Sequence, residues 1–238
     1  MDEETPTLRL LRPQDMALER LLRNYVIPVM FRMNLGKARE EIKNGEWSRD
    51  AINRVSTEYQ RYIDLLEHLS NSPEGLQLII TDSQAFDVVA NWTPEKYALT
   101  SFSIMMAHYM SHGNLQVLYD GVKAVDTLKP GDNILISEGC NHDRKCNDIG
   151  TVQLPKILEK KIGGKLNFDF AFGRTFPEDL SKFKLIVHCG ACMIDRQKYE
   201  RKLIKAKEAK IPFTNYGFLL SYAQNEDVLK RVIKPFAN

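Results

Sequence analysis

The chain has 238 residues, with 33 Lys and Arg against 31 Asp and Glu, and four cysteines. A formal charge of +2 supplies no field strong enough to gather nucleic acid, and 43% hydrophobic residues suffice for a substantial core in one or two domains. The longest charge-free stretch, Tyr97–Tyr119, carries Thr100, Ser103, His108, His112 and Asn114 among other polar residues, so it is no membrane span and no membrane partner is expected.

The acidic start, "MDEETPTLRL", lacks the basic region of a targeting segment, and the expected setting is a reducing cytoplasm. After Asp15, the periodic Met16, Leu18, Leu21, Leu22, Tyr25 and Val26 predict a helix kinked or ended by Pro28. Ser48 is the expected cap of a second helix, with Ile52, Val55, Tyr59, Tyr62, Ile63, Leu66 and Leu69 on one face. "SPEG" at 72–75 marks a boundary, so residues 1–73 form a helical N-terminal segment.

Beyond it the pattern alternates. "LQLIITD" and "YALTSFS" predict strands, each followed by a helix, and "LQVLYDGVKAVDTL" a further helix before the "LKPGD" turn at 128–132. The apolar "FSIMMA" at 102–107 needs a cover. A second block predicts strands near 133–138, 168–172, 184–189 and 211–215, with helices near 151–162, 193–209 and 217–231. The basic run at 198–210 alternates with acidic and apolar residues and reads as a solvated helix face. The fold class is therefore α/β, with two small alternating units of mainly parallel strands, 74–130 and 131–238.

In such sheets ligands bind beyond the carboxyl ends of the strands. There the strand at 133–138 runs into Cys140 and His142, that at 184–189 into His188, Cys189 and Cys192, and the remaining two into Gly173 and Arg174, and into Asn215, Tyr216 and Gly217. All the unusual chemistry falls on one edge. Three thiolates with imidazoles suit zinc, in a closed four-ligand site, or a 4Fe-4S cluster with one exchangeable position. "CGAC" before a helix is also compatible with thiol–disulfide exchange, though that leaves Cys140 and His142 unused. Spacing alone does not separate these readings. No G-x-x-x-x-G-K-[ST] phosphate loop is present; "GGKLNFDF" at 163–170 lacks the spacing.

"TDSQAF", "LTSFSI", "LKPGD", the Cys-x-His of "EGCNH", "DIG", "FPEDLS", "HCGACM" and "TNYG", in this order, resemble the FeFe-hydrogenase maturation GTPase (HydF) family over about residues 74–236. The resemblance implies a dimerisation domain at 74–130 and a cluster-binding domain at 131–238. It implies a 4Fe-4S cluster held by Cys140, Cys189 and Cys192, with His142 and His188 as weaker candidates for the fourth position. Cys146, in the same loop, is a further candidate fourth ligand. The implied role is a non-enzymatic scaffold carrying the transient di-iron H-cluster precursor. Its implied partners are a second copy in a homodimer, two radical-SAM maturases and the apo-FeFe-hydrogenase. The family's GTPase domain has no counterpart in this sequence, and residues 1–70 match none of the quoted motifs; a separate GTPase chain is the partner this would call for.

Overall fold

The structure, a computed structural model, describes residues 10–44, 57–139, 148–173, 175–192 and 194–237. It divides into two units, Met1–Phe102 and Ser103–Asn238.

In the first unit, α1 (Arg12–Arg23) starts with a proline in its first turn and ends before Tyr25, whose φ of 59° leaves the helical region ahead of Pro28. The Gln14 side chain accepts from Leu11 N and donates to Asp82 Oδ1 at 2.8 Å, tying this helix to the loop after the first strand. A helix the periodicity did not predict, α2 (Leu35–Asn44), presents Glu41 to the start of α3 (Glu58–Ser70). The Glu41 carboxylate accepts from the backbone N–H groups of Glu58 and Tyr59 at 2.8 and 3.1 Å, an anion at a positive helix end. Thr57 caps α3 through Gln60 N; the expected cap, Ser48, lies outside the described residues. β1 (Ile79–Thr81) and β2 (Leu99–Ser101) pair in parallel, joined by a 3-10 turn and α4 (Phe86–Trp92). Tyr62, Leu66, Phe86, Val88, Trp92 and Leu99 make the core.

The second unit contains nearly all of α5 (Phe102–Met110), then α6 (Gln116–Lys123), and a four-stranded sheet. Its strands are β3 (Asn133–Glu138), β4 (Asn167–Phe172), β5 (Phe183–His188) and β6 (Phe213–Asn215), all parallel, in the order β4-β3-β5-β6. Ile134, Leu135, Ile136, Leu185, Ile186 and Val187 are all buried, as expected for a parallel sheet covered on both faces. α7 (Leu154–Ile162) connects β3 to β4 and α8 (Arg196–Glu208) connects β5 to β6. The segment at 115–128 belongs to this unit, because α6 lies against β6. Thr214 Oγ1 donates to Leu118 O at 3.0 Å, and a Cβ on Gly121 would stand 2.0 Å from Phe213 O. The single helix predicted at 217–231 is two, α9 (Tyr216–Gln224) and α10 (Glu226–Ile233). The extended Asn225 between them caps α10 through Val228 N at 2.7 Å. Among the described residues no helix is long and apolar enough to cross a membrane.

Candidate functional site

β3 and β5 are neighbours, yet the connections that leave them run to opposite edges of the sheet. With right-handed crossovers, α7 and α8 lie on opposite faces, and a crevice opens between the carboxyl ends of β3 and β5. Cys189 sits at its edge. Its N–H continues the ladder to Ser137 O at 2.9 Å, and its Sγ accepts from Gly139 N at 3.0 Å and Ala191 N at 3.4 Å. Two backbone donors on one sulfur stabilise a thiolate.

Local backbone geometry makes this possible. In "CGAC" the left-handed residue is Ala191, at φ 59° and buried, not Gly190. An alanine there stores strain of order 1 kcal/mol that the surroundings must offset. Gly139 is needed for a different reason: a Cβ would stand 3.0 Å from Ile194 and 3.6 Å from the Cys189 sulfur. Cys192 follows, partly exposed, three residues before Asp195, whose carboxylate caps α8 by accepting from Lys198 N at 2.8 Å.

Behind Cys189, on the face that Ser137 and His188 share as register partners, α8 turns inward at Tyr199, Lys202 and Ala206. His188 is fully buried, and its Nδ1 lies 2.8 Å from Cys189 O while Nε2 lies 3.3 Å from Lys202 Nζ. The tautomer that satisfies both carries its proton on Nδ1 and accepts from Lys202 at Nε2. Burial, reinforced by the Lys202 charge, pushes the His188 pKa down to about 3, so the ring is neutral. Lys202 also donates to Ser137 Oγ at 3.1 Å and lies over the Phe176 ring. Burial lowers its pKa, and the Cys189 thiolate opposes that shift. The buried Tyr199 hydroxyl has no hydrogen-bond partner among the described residues, and its pKa is raised by burial and by the charge of Cys189.

On the other face, the buried Glu138 accepts from Tyr216 Oη at 2.9 Å. Burial first, then the charge of Glu138, raises the Tyr216 pKa. Gly150 is wedged against this pair at the start of a π-helical turn, Ile149–Gln153, capped by Asp148 through Thr151 N at 2.7 Å.

Of the residues singled out in the sequence, His188, Cys189 and Cys192 occur together at this edge, while Cys140, His142, Cys146 and Arg174 lie outside the described residues. Among the described residues, no group of three or more His, Cys, Asp or Glu side chains is arranged to hold a metal ion. Lys202 and Tyr199 were missed because their run reads as solvated; the signal was there in the apolar Tyr199 and Ala206 flanking Lys202 at helical spacing.

Residues 47–111 match the hydrogen maturase F dimerization domain, and residues 116–235, about half of the chain, match the hydrogen maturase F tetramerization domain. The chain belongs to the hydrogen maturase F family. No curated protein matches it. As a hydrogen maturase F relative it takes part in hydrogenase maturation and carries the domains through which the family oligomerises. The dimerization match begins at residue 47 and spans α3, β1 and β2.

Proposed function

We propose that this chain is a non-enzymatic scaffold that holds a 4Fe-4S cluster during hydrogenase maturation. The observation that carries this reading is the Cys189 sulfur at the switch point, accepting two backbone N–H groups, with the buried Lys202 linked to the same residue through His188. Hydrogen bonds to sulfur and nearby charge are what tune a thiolate-bound cluster. The donor set fits such a group better than a hard cation, which would call for oxygen ligands. The buried Tyr199 hydroxyl, without a partner among the described residues, is consistent with it, since such a donor destabilises the metal-free protein.

Cys140, Cys189 and Cys192 are the proposed ligands. His142 and Cys146 remain candidates for the fourth position. The ring contacts of His188, to the Cys189 carbonyl and to Lys202, support a positioning role for it. When bound, the cluster would supply an iron with an exchangeable position, the chemistry that holding a di-iron H-cluster precursor calls for. The chain's own residues hold the Cys189 sulfur with two backbone N–H groups, bury His188 and Lys202 behind it, and leave Cys192 partly exposed. In this reading a homodimer receives its cargo from radical-SAM maturases and delivers it to an apo-FeFe-hydrogenase.

Anaerobic reconstitution with iron and sulfide, followed by metal analysis and EPR of the reduced protein, tests the reading. About four irons per chain are expected, lost in Cys140→Ala, Cys189→Ala and Cys192→Ala and kept in Cys146→Ala. Stoichiometric zinc without a reduced-cluster signal overturns it.

A further inference from the structure

Lys202 is buried, with 8% of its surface exposed, yet among the described residues it makes no ion pair with a carboxylate. Lysine is almost never buried this deeply without a partner, and an apolar side chain would fill the same space without desolvating a charge. Its neighbours are the Ser137 hydroxyl at 3.1 Å, His188 Nε2 at 3.3 Å and the face of Phe176, all able to receive an N–H donor and none of them negative. The Cys189 sulfur, one residue along the chain from His188, is the neighbouring group that can carry a negative charge, and as a thiolate it opposes the lowering of the Lys202 pKa by burial. Ser137 and His188 are opposite each other on the last paired rung of β3 and β5, so the ammonium lies behind the rung from which Cys189 emerges.

We propose that Lys202 is the buried counter-charge of the sulfur at position 189 and, through His188, a positioning residue for the Cys189 backbone. This rests on the scaffold reading. The chain of contacts is continuous: Lys202 donates to His188 Nε2, which fixes the tautomer, and His188 Nδ1–H holds the Cys189 carbonyl. That carbonyl belongs to the residue whose sulfur collects the N–H groups of Gly139 and Ala191. A fixed positive charge behind a sulfur ligand favours the more reduced, more negative state of whatever the sulfur binds, and with it the retention of an anionic cargo. Burial of Lys202, His188 and Ser137 lowers the local dielectric and strengthens the effect.

The test is an EPR-monitored redox titration of the reconstituted full chain, with wild type, Lys202→Met, Lys202→Gln and Lys202→Arg compared. Lys207→Met removes the same net charge from an exposed position of α8 and serves as the control. At the potential where wild type is half reduced, the reduced-to-oxidised ratio is expected to fall at least tenfold in both neutral variants, a shift of about 59 mV for one electron. Lys202→Arg restores the ratio and Lys207→Met leaves it unchanged. Gln keeps a donor for Ser137 and His188 while Met does not, so a positioning role shows as lower iron retention in Met than in Gln. A Lys202→Gln protein that loads iron normally and titrates with wild type overturns the inference, and decides it even if Lys202→Met fails to fold. A wild-type protein that takes up no cluster removes the scaffold reading and this inference with it.

Discussion

Replacing Gly150 by Ala drives a methyl group into the buried pair that closes the β3 side of the site. A Cβ at this position stands 2.1 Å from Glu138 Oε1 and 2.2 Å from Tyr216 Oη, atoms that are 2.9 Å apart in their own hydrogen bond. Neither contact is sustainable, so the hydrogen bond opens or the turn Ile149–Gln153 moves. Overpacking a tight interior site costs about 1–3 kcal/mol, and losing a hydrogen bond to a charged acceptor about 1.5–3 kcal/mol. Together they predict a destabilisation of about 3–5 kcal/mol, a drop in melting temperature of roughly 6–20 °C for a chain of this size. Chemical denaturation followed by circular dichroism measures it. The Gly150→Ala/Tyr216→Phe double variant removes one of the two obstructing oxygens and is expected to lose about 1 kcal/mol less than the sum of the single variants. A Gly150→Ala protein within about 0.5 kcal/mol of wild type refutes the packing described for this side of the site.

Tyr199→Phe removes a buried hydroxyl that has no partner among the described residues, so the metal-free variant is expected to melt higher than wild type, by up to about 1–3 kcal/mol of stability. The same variant retains iron less well on dilution into chelator; a metal-free variant that is less stable than wild type contradicts the unpaired assignment. Glu226 accepts from Tyr119 Oη at 2.6 Å, Lys123 Nζ at 3.0 Å and Lys230 Nζ at 3.1 Å, and these donors hold its pKa at about 2. A carboxylate depressed in the folded state stabilises above its unfolded value and loses that contribution as pH falls through the folded one. Wild type should therefore exceed Glu226→Gln in stability near pH 6, with the gap closing between about pH 4.5 and pH 2 and shrinking in salt. A pH-independent gap between the two melting curves counts against it.

Alternation of apolar runs with amphipathic stretches was enough to read the α/β class, and the sequence alone put Cys189, Cys192 and His188 at one strand end. Those features are local: a strand end followed by glycines and a cap such as Asp195 is written in consecutive residues. The helix break at Asn225 was equally local but hidden, because the apolar pattern continues across it while its side chain caps α10. Partnership between elements could not be read in this way. Nothing in the periodicity of 115–128 says that α6 lies on β6, where Gly121 allows close approach to the Phe213 backbone. Nor does a run as charged as 198–210 reveal that one of its lysines faces inward. Lys202 is buried because β3 and β5 are neighbours and Ser137 and His188 share the face that α8 covers. The sequence by itself determined which residue types stand at the strand ends, since that depends on spacing along the chain. Only the tertiary structure decided which charge stands behind the Cys189 sulfur, since that depends on strand order and on which helix covers which face.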